Sequence, residues 1–173
     1  NISLDSFRPE RYREITRGGD ISQVMSGIEA AEKAGLTPIK LNVVPMSGFN
    51  DDEIEDFARL TLTTPYHVRF IEFIPIGGSY SWCSDKYIPT ESIMERVEKI
   101  APLIPVRLRK HGPARYYRFE NASGVIGFIS AITHHFCNDC NRLRITSDGK
   151  LRPCLFSDTE IDLKPAIRSS DSD

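Results

Sequence analysis

At 173 residues, with 40% hydrophobic and 27% charged side chains, the chain has the composition of an ordinary globular protein of one domain or a little more. No apolar run approaches the roughly 18 residues of a membrane span and no signal-type segment is visible, so neither a membrane nor secretion is expected and the expected location is cytoplasmic. The net charge of −2 hides an asymmetry, because residues 106–154 hold nine Lys and Arg against three acidic residues; this suits a small polyanionic ligand, whereas nucleic acid is not expected without an aromatic-interleaved basic run.

The chain opens on Asn1 inside a strand-like run with no Met, which reads as a removed N-terminus. Ile2 and Leu4 alternate with Ser3 and Asp5, a short strand, and a turn with a short helix follows. From Asp20 as N-cap, Ile21, Val24, Met25, Ile28 and Ala31 recur at helical spacing until Gly35. Pro38 then opens a second strand, with Ile39, Leu41 and Val43 on one face and Lys40 and Asn42 on the other. A central strand covered on both sides reads as continuously apolar, so Lys40 and Asn42 must face water or a ligand.

Asn50 and Glu53 have the spacing of a capping box ahead of a helix built on Ile54, Phe57, Ala58 and Leu60. His67 to Ile74 is nearly continuous in apolar residues apart from Arg69 and Glu72, as in a buried parallel strand. After a Gly77-Gly78-Ser79 loop, Thr90 caps a third helix with the stripe Ile93, Met94, Val97 and Ile100. Strand then helix, three times over, predicts an α/β protein with a parallel sheet, and the polar inward faces favour a barrel over an open sheet. Beyond Pro105, Val106–Arg109, Arg115–Phe119 and Val125–Ile129 read as short strands. This predicts two domains, a β/α domain over 1–105 and a strand-rich extension over 106–173.

Three of the four cysteines lie within residues 134–156, HHFCNDCNRLRITSDGKLRPCLF. Cys137 and Cys140 are spaced CxxC, which lets one turn present two thiolates to a metal, and Cys154 follows on the far side of a hairpin signature around Asp148-Gly149. With the turn centred on that pair, Cys154 falls opposite Leu143, on the face away from Arg142 and Arg144. Clustered thiols without secretory features point to metal rather than disulfides. A closed zinc site would take His134, His135 or Cys83 as fourth ligand, whereas an iron–sulfur cluster on three thiolates leaves one iron open. Spacing does not choose between them. Arg142 and Arg144 project to one face, where they favour thiolates and either clasp phosphate or a base edge or line a solvated edge. Cys83, remote from the motif, reads as a spare thiol.

This motif resembles the C-terminal cluster motif of the GTP 3′,8-cyclase family of molybdenum cofactor biosynthesis. The likeness extends through Gly124–Ser130, Arg69–Phe73, Lys40–Val44 and Ile2–Asp5, nearly the whole chain. It implies a radical S-adenosylmethionine (SAM) enzyme, a lyase that converts GTP to 3′,8-cyclo-7,8-dihydro-GTP by hydrogen abstraction from C3′ and bonding of C3′ to C8. The implied fold is α/β, the later half of a partial (β/α) TIM-like barrel, with a strand-rich C-terminal iron–sulfur extension closing it.

The resemblance further implies a [4Fe–4S] cluster on Cys137, Cys140 and Cys154 whose open iron meets GTP, with GTP contacts from Lys40, Arg69, Arg142, Leu143 and Arg144. SAM contacts are implied at Ser3 and at Ile74, where the family usually has Met. SAM, a second [4Fe–4S] cluster, an electron donor and a possible homodimer belong to the complete enzyme. The CxxxCxxC motif that would hold the second cluster is absent from this sequence, so the chain by itself is expected to be inactive. The residues also admit blander readings: Lys40 in a buried ion pair with Asp5 or Glu72, Arg69 in a salt bridge to Glu72, Ser3 bonded to backbone, and the whole a non-catalytic β/α binding module with a structural zinc.

Overall fold

The computed structural model describes residues 1–74, 84–108, 112–135, 137, 140 and 142–169. The chain divides into two compact units, Asn1–Phe136 and Cys137–Asp173. The first is a mixed α/β unit around a six-stranded sheet. In it β1 (Ile2–Ser3), β2 (Lys40–Val43), β3 (His67–Ile71) and β6 (Val125–Ile129) run parallel. Then β5 (Arg115–Arg118) and β4 (Ile104–Val106) add antiparallel, giving the order β1-β2-β3-β6-β5-β4.

Register explains which side is core. Leu41, Val68 and Ile126 stand side by side, as do Val43, Phe70 and Phe128, and none is more than 2% exposed. Helices α2 (Ile21–Lys33), α3 (Ile54–Thr63) and α4 (Thr90–Glu98) bring Ile28, Phe57, Ala58, Ile93 and Val97 into the same cluster. Each of the larger side chains, Ile28, Phe57, Ile93 and Val97, contributes about 1.5–3 kcal/mol when fully buried. The expected helix after Asp20 is α2: the Asp20 carboxylate accepts from Ser22 N–H at 2.8 Å, and Gly35 ends the segment at φ 69°. A short helix, α1 (Pro9–Ile15), precedes it.

Several expectations are corrected. Asn50 and Glu53 form no capping box; both are buried and reach across the fold. Asn50 accepts from Met46 N–H at 2.7 Å and donates to the carbonyls of Asp5 and Val44 at 2.7 and 3.1 Å. Glu53 accepts from Ser6 Oγ at 2.7 Å, from Phe7 N–H at 2.6 Å and from Arg11. The third strand ends at Ile71 rather than Ile74, because Glu72 turns into a hydrogen-bonding hub. Thr90 is the first residue of α4, not its cap: the Glu72 carboxylate accepts from Thr90 N–H at 3.0 Å and from its hydroxyl at 2.8 Å.

The strand-rich stretch assigned to the extension from residue 106 lies across both units. β6 is apolar at every position, buried throughout and paired to β3, so the sheet runs past residue 105, and the compact units meet at 136/137. β4 begins two residues earlier than expected, with Pro105 tolerated on an edge strand. The Gly77-Gly78-Ser79 loop and Cys83 fall outside the described residues.

The second unit holds a three-stranded antiparallel sheet of β7 (Arg144–Ile145), β8 (Lys150–Arg152) and β9 (Ile161–Asp162), followed by α5 (Lys164–Arg168). The hairpin exists, but with a three-residue loop. Thr146 N–H donates to Lys150 O at 2.9 Å, and Gly149 takes φ 81°, the left-handed position such a loop requires. Arg144 therefore pairs with Arg152, one residue out of the expected register. Among the described residues no helix is long and apolar enough to cross a membrane.

Candidate functional site

The face of the first sheet opposite the helices carries two rows of neighbours: Lys40, His67 and Val125, and then Ser3, Asn42, Arg69, Gly127 and Tyr116. Strand periodicity thus brings Ser3, Lys40 and Arg69 onto one face, with Ser3 exposed and the two cations half-buried. Ile74 lies past the end of β3, half-buried and outside these rows.

Arg69 makes no salt bridge to Glu72. Its Nε donates to Asn42 Oδ1 at 2.7 Å and its Nη2 to Asn1 Oδ1 at 3.0 Å, so two neutral amides orient the guanidinium without cancelling its charge. A cation held this way suits an anionic ligand. Lys40 likewise forms no ion pair with Asp5 or Glu72. The Asp5 carboxylate accepts from Val44 N–H at 2.7 Å, and burial pushes its pKa above the ordinary value against that bond.

Glu72 is 1% exposed and accepts from Thr90, from Ile132 N–H at 2.7 Å, from Thr133 N–H at 3.0 Å and from the Thr133 hydroxyl. Burial alone would raise its pKa, but these hydrogen bonds outweigh it and hold the carboxyl below its ordinary value. Ile132 and Thr133 immediately precede His134, whose Nε2 lies 2.5 Å from Glu91 Oε1, and the exposed His135.

Sequence reasoning missed His67 and Tyr116. The imidazole meets the phenol ring edge-on, centroids 5.8 Å apart at 66°. Gly127 makes the room: a Cβ there would stand 2.9 Å from Tyr116 Cε1 and 3.1 Å from Arg69 Cγ. The available signal was parity, since His67 is two residues before Arg69 on one strand.

In the second unit Cys137, Cys140 and Cys154 are free and exposed, and among the described residues no group of three potential metal ligands is gathered. Cys140 N–H donates to Cys137 O at 3.2 Å, the tight turn that CxxC spacing anticipates. Hydrogen bonds from the backbone N–H and the guanidinium of Arg142, with the charges of Arg142 and Arg144, hold the Cys140 thiol below its ordinary value. Lys150 and Arg152 are instead occupied by Glu160, at 3.1 and 2.7 Å. Leu143 is 67% exposed on the strand side of the motif. The donor set, three thiols with one biased towards thiolate, fits a metal or cluster of soft-ligand preference.

A parallel-rich sheet with a cationic face, joined in one chain to a three-thiol unit, has matches among known families. Residues 66–173 match the family model for Molybdenum Cofactor Synthesis C and residues 1–61 that for the Radical SAM superfamily. The chain belongs to the Molybdenum Cofactor Synthesis C family. It is similar to proteins named GTP 3′,8-cyclase. That of Alkaliphilus metalliredigens (strain QYMF) is 52% identical over 170 residues, 98% of this chain and 52% of the relative. That of Alkaliphilus oremlandii (strain OhILAs) is 52% identical over 169 residues, again 98% and 52%. That of Thermodesulfovibrio yellowstonii is 52% identical over 173 residues, 99% and 53%. The chain spans about half the length of the curated relatives it matches. The non-catalytic zinc module finds no support in these similarities.

Proposed function

We propose that the chain is the substrate-binding part of a radical SAM GTP 3′,8-cyclase acting in the cytoplasm. The parallel sheet would be the later half of a partial (β/α) barrel, its cationic face turned to the interior. The observation that carries this reading is Arg69, oriented by Asn42 and Asn1 and left with its full charge beside Lys40 on a sheet face, as a polyphosphate-binding surface needs.

Lys40 and Arg69 would bind the triphosphate by charge, and Asn42 would fix the guanidinium. Ser3 and Ile74 would contact SAM, Ser3 through its hydroxyl. Cys137, Cys140 and Cys154 would hold the cluster, which when bound supplies an iron with an open position for a ligand. Drawing the three thiols together requires the Cys137–Cys140 turn and the residues around Cys154 to close. Arg142 keeps Cys140 disposed to ionise, and Arg142 with Arg144 would orient the bound nucleotide.

The test is GTP titration of the full-length enzyme with Arg142→Ala and Arg144→Ala, iron content being measured in parallel. Losing one charge-assisted hydrogen bond costs roughly 1.5–3 kcal/mol, so affinity should fall about 10- to 150-fold with iron unchanged. Lysine at either position should recover only part of it. Unchanged affinity in the double alanine variant at full iron occupancy would remove both arginines from the site.

A further inference from the structure

His67 has no role assigned by the resemblance, yet it neighbours both cations on the same face. Lys40 is its neighbour on β2 and Arg69 follows two residues along β3, while Val125 on β6 adds no charge and Tyr116 on β5 packs edge-on against the ring. The imidazole Nδ1 is buried and has no hydrogen-bond partner. A buried ring nitrogen without a partner is costly. Burial first, then the charges of Lys40 and Arg69, hold the His67 pKa below its ordinary value, which disfavours the imidazolium in this cationic face.

A polyanion seated across Lys40 and Arg69 would reverse that balance, since its negative charge favours the imidazolium that the two cations oppose. The ring is already held by Tyr116, which reaches this position because Gly127 has no side chain to obstruct it. We propose that His67 is a third polyphosphate contact beside Lys40 and Arg69, and that it takes up one proton from solvent as the anion binds. The proposal rests on the reading of Lys40 and Arg69 as substrate contacts. It adds a residue to that site and makes binding pH-dependent. Because the bound-state pKa lies above that of the free protein, affinity is highest on the acid side. It falls as pH rises through the bound-state value.

The experiment is calorimetric titration of the full-length enzyme with GTP and, separately, with inorganic triphosphate, from about pH 6 to about pH 8 in buffers of different ionisation enthalpy. Wild type should take up protons on binding both ligands, and its affinity should gain about tenfold towards acid for each unit of pKa shift. His67→Gln keeps a polar side chain but cannot titrate. It should lose that uptake, leaving only the phosphate's own titration. His67→Phe keeps a ring against Tyr116 and should bind more weakly than His67→Gln throughout. Wild type and His67→Gln with identical uptake and pH profiles would overturn the inference while leaving the site intact. Lys40→Ala and Arg69→Ala variants that bind triphosphate as wild type does would overturn the site, and the inference with it.

Discussion

Replacing Glu72 with alanine removes the acceptor for five hydrogen bonds, from Thr90 N–H and hydroxyl, Ile132 N–H, and Thr133 N–H and hydroxyl. Three of these donors are backbone amides, and the carboxylate is 1% exposed. One orphaned buried donor costs about 1–3 kcal/mol, and relaxation with water entry will satisfy some of the five. A loss of about 3–5 kcal/mol is therefore expected, a large share of the about 5–15 kcal/mol typical of a whole domain. It includes the negative charge at the N-terminus of α4. Glu72→Gln is the sharper variant, because its amide turns a donor towards at least one existing donor and gives up the charge; about 2–3 kcal/mol is expected. Urea unfolding of the full-length protein gives both values, and hydrogen exchange at Ile132 and Thr133 should accelerate in each variant. Loss of less than about 0.5 kcal/mol in Glu72→Ala would refute the hub, since that is the range of an ordinary surface change.

Gly124→Ala should destabilise more than Gly127→Ala in the same assay. Its Cβ would stand 2.3 Å from Tyr66 O and 2.6 Å from Thr64 O, backbone that cannot step aside, whereas the nearest atoms at Gly127 belong to the side chains of Tyr116 and Arg69. About 3 kcal/mol or more against about 1 kcal/mol is expected. Acid should destabilise the first unit. Glu72, where hydrogen bonds overcome burial, and Glu55, bonded by Arg96, have folded-state values below those of unfolded carboxylates. Their contribution is fully present above the unfolded value of about 4.3 and is lost as pH falls through the lower folded values. Asp5, raised by burial, works in the opposite direction. Melting temperatures from about pH 6 to about pH 3 should fall, and less steeply in Glu72→Gln.

Elements carried by local chemistry were legible in the sequence. Asp20 and Gly35 bracket α2 because a cap and a left-handed stop act within a turn, and the alternation of Lys40 and Asn42 with Leu41 and Val43 gave the two faces of β2. Long-range partners were not. Asn50 and Glu53 have the spacing of a local cap, but their partners Asp5, Ser6 and Phe7 lie more than forty residues away and only the folded sheet brings them near. Glu72 looked like a counter-ion for Arg69, yet the strand ends between them and the carboxylate finds amides instead. Hairpin register hinged on one residue: Asp148-Gly149 suggests a two-residue turn, but Gly149 serves a three-residue loop, and the shift pairs Arg144 with Arg152. That removes the basis for setting Cys154 on the face opposite the arginines. The cationic face was half legible, since Lys40 and Arg69 could be aligned by parity while Tyr116 reaches them only through β6.

Iron analysis of the 173-residue chain after anaerobic reconstitution tests the three-thiolate assignment most directly. A brown protein with about four iron per chain is expected, and no bound iron once Cys137, Cys140 and Cys154 are replaced by alanine. A colourless protein with one zinc per chain, prepared without exposure to oxygen, would contradict it.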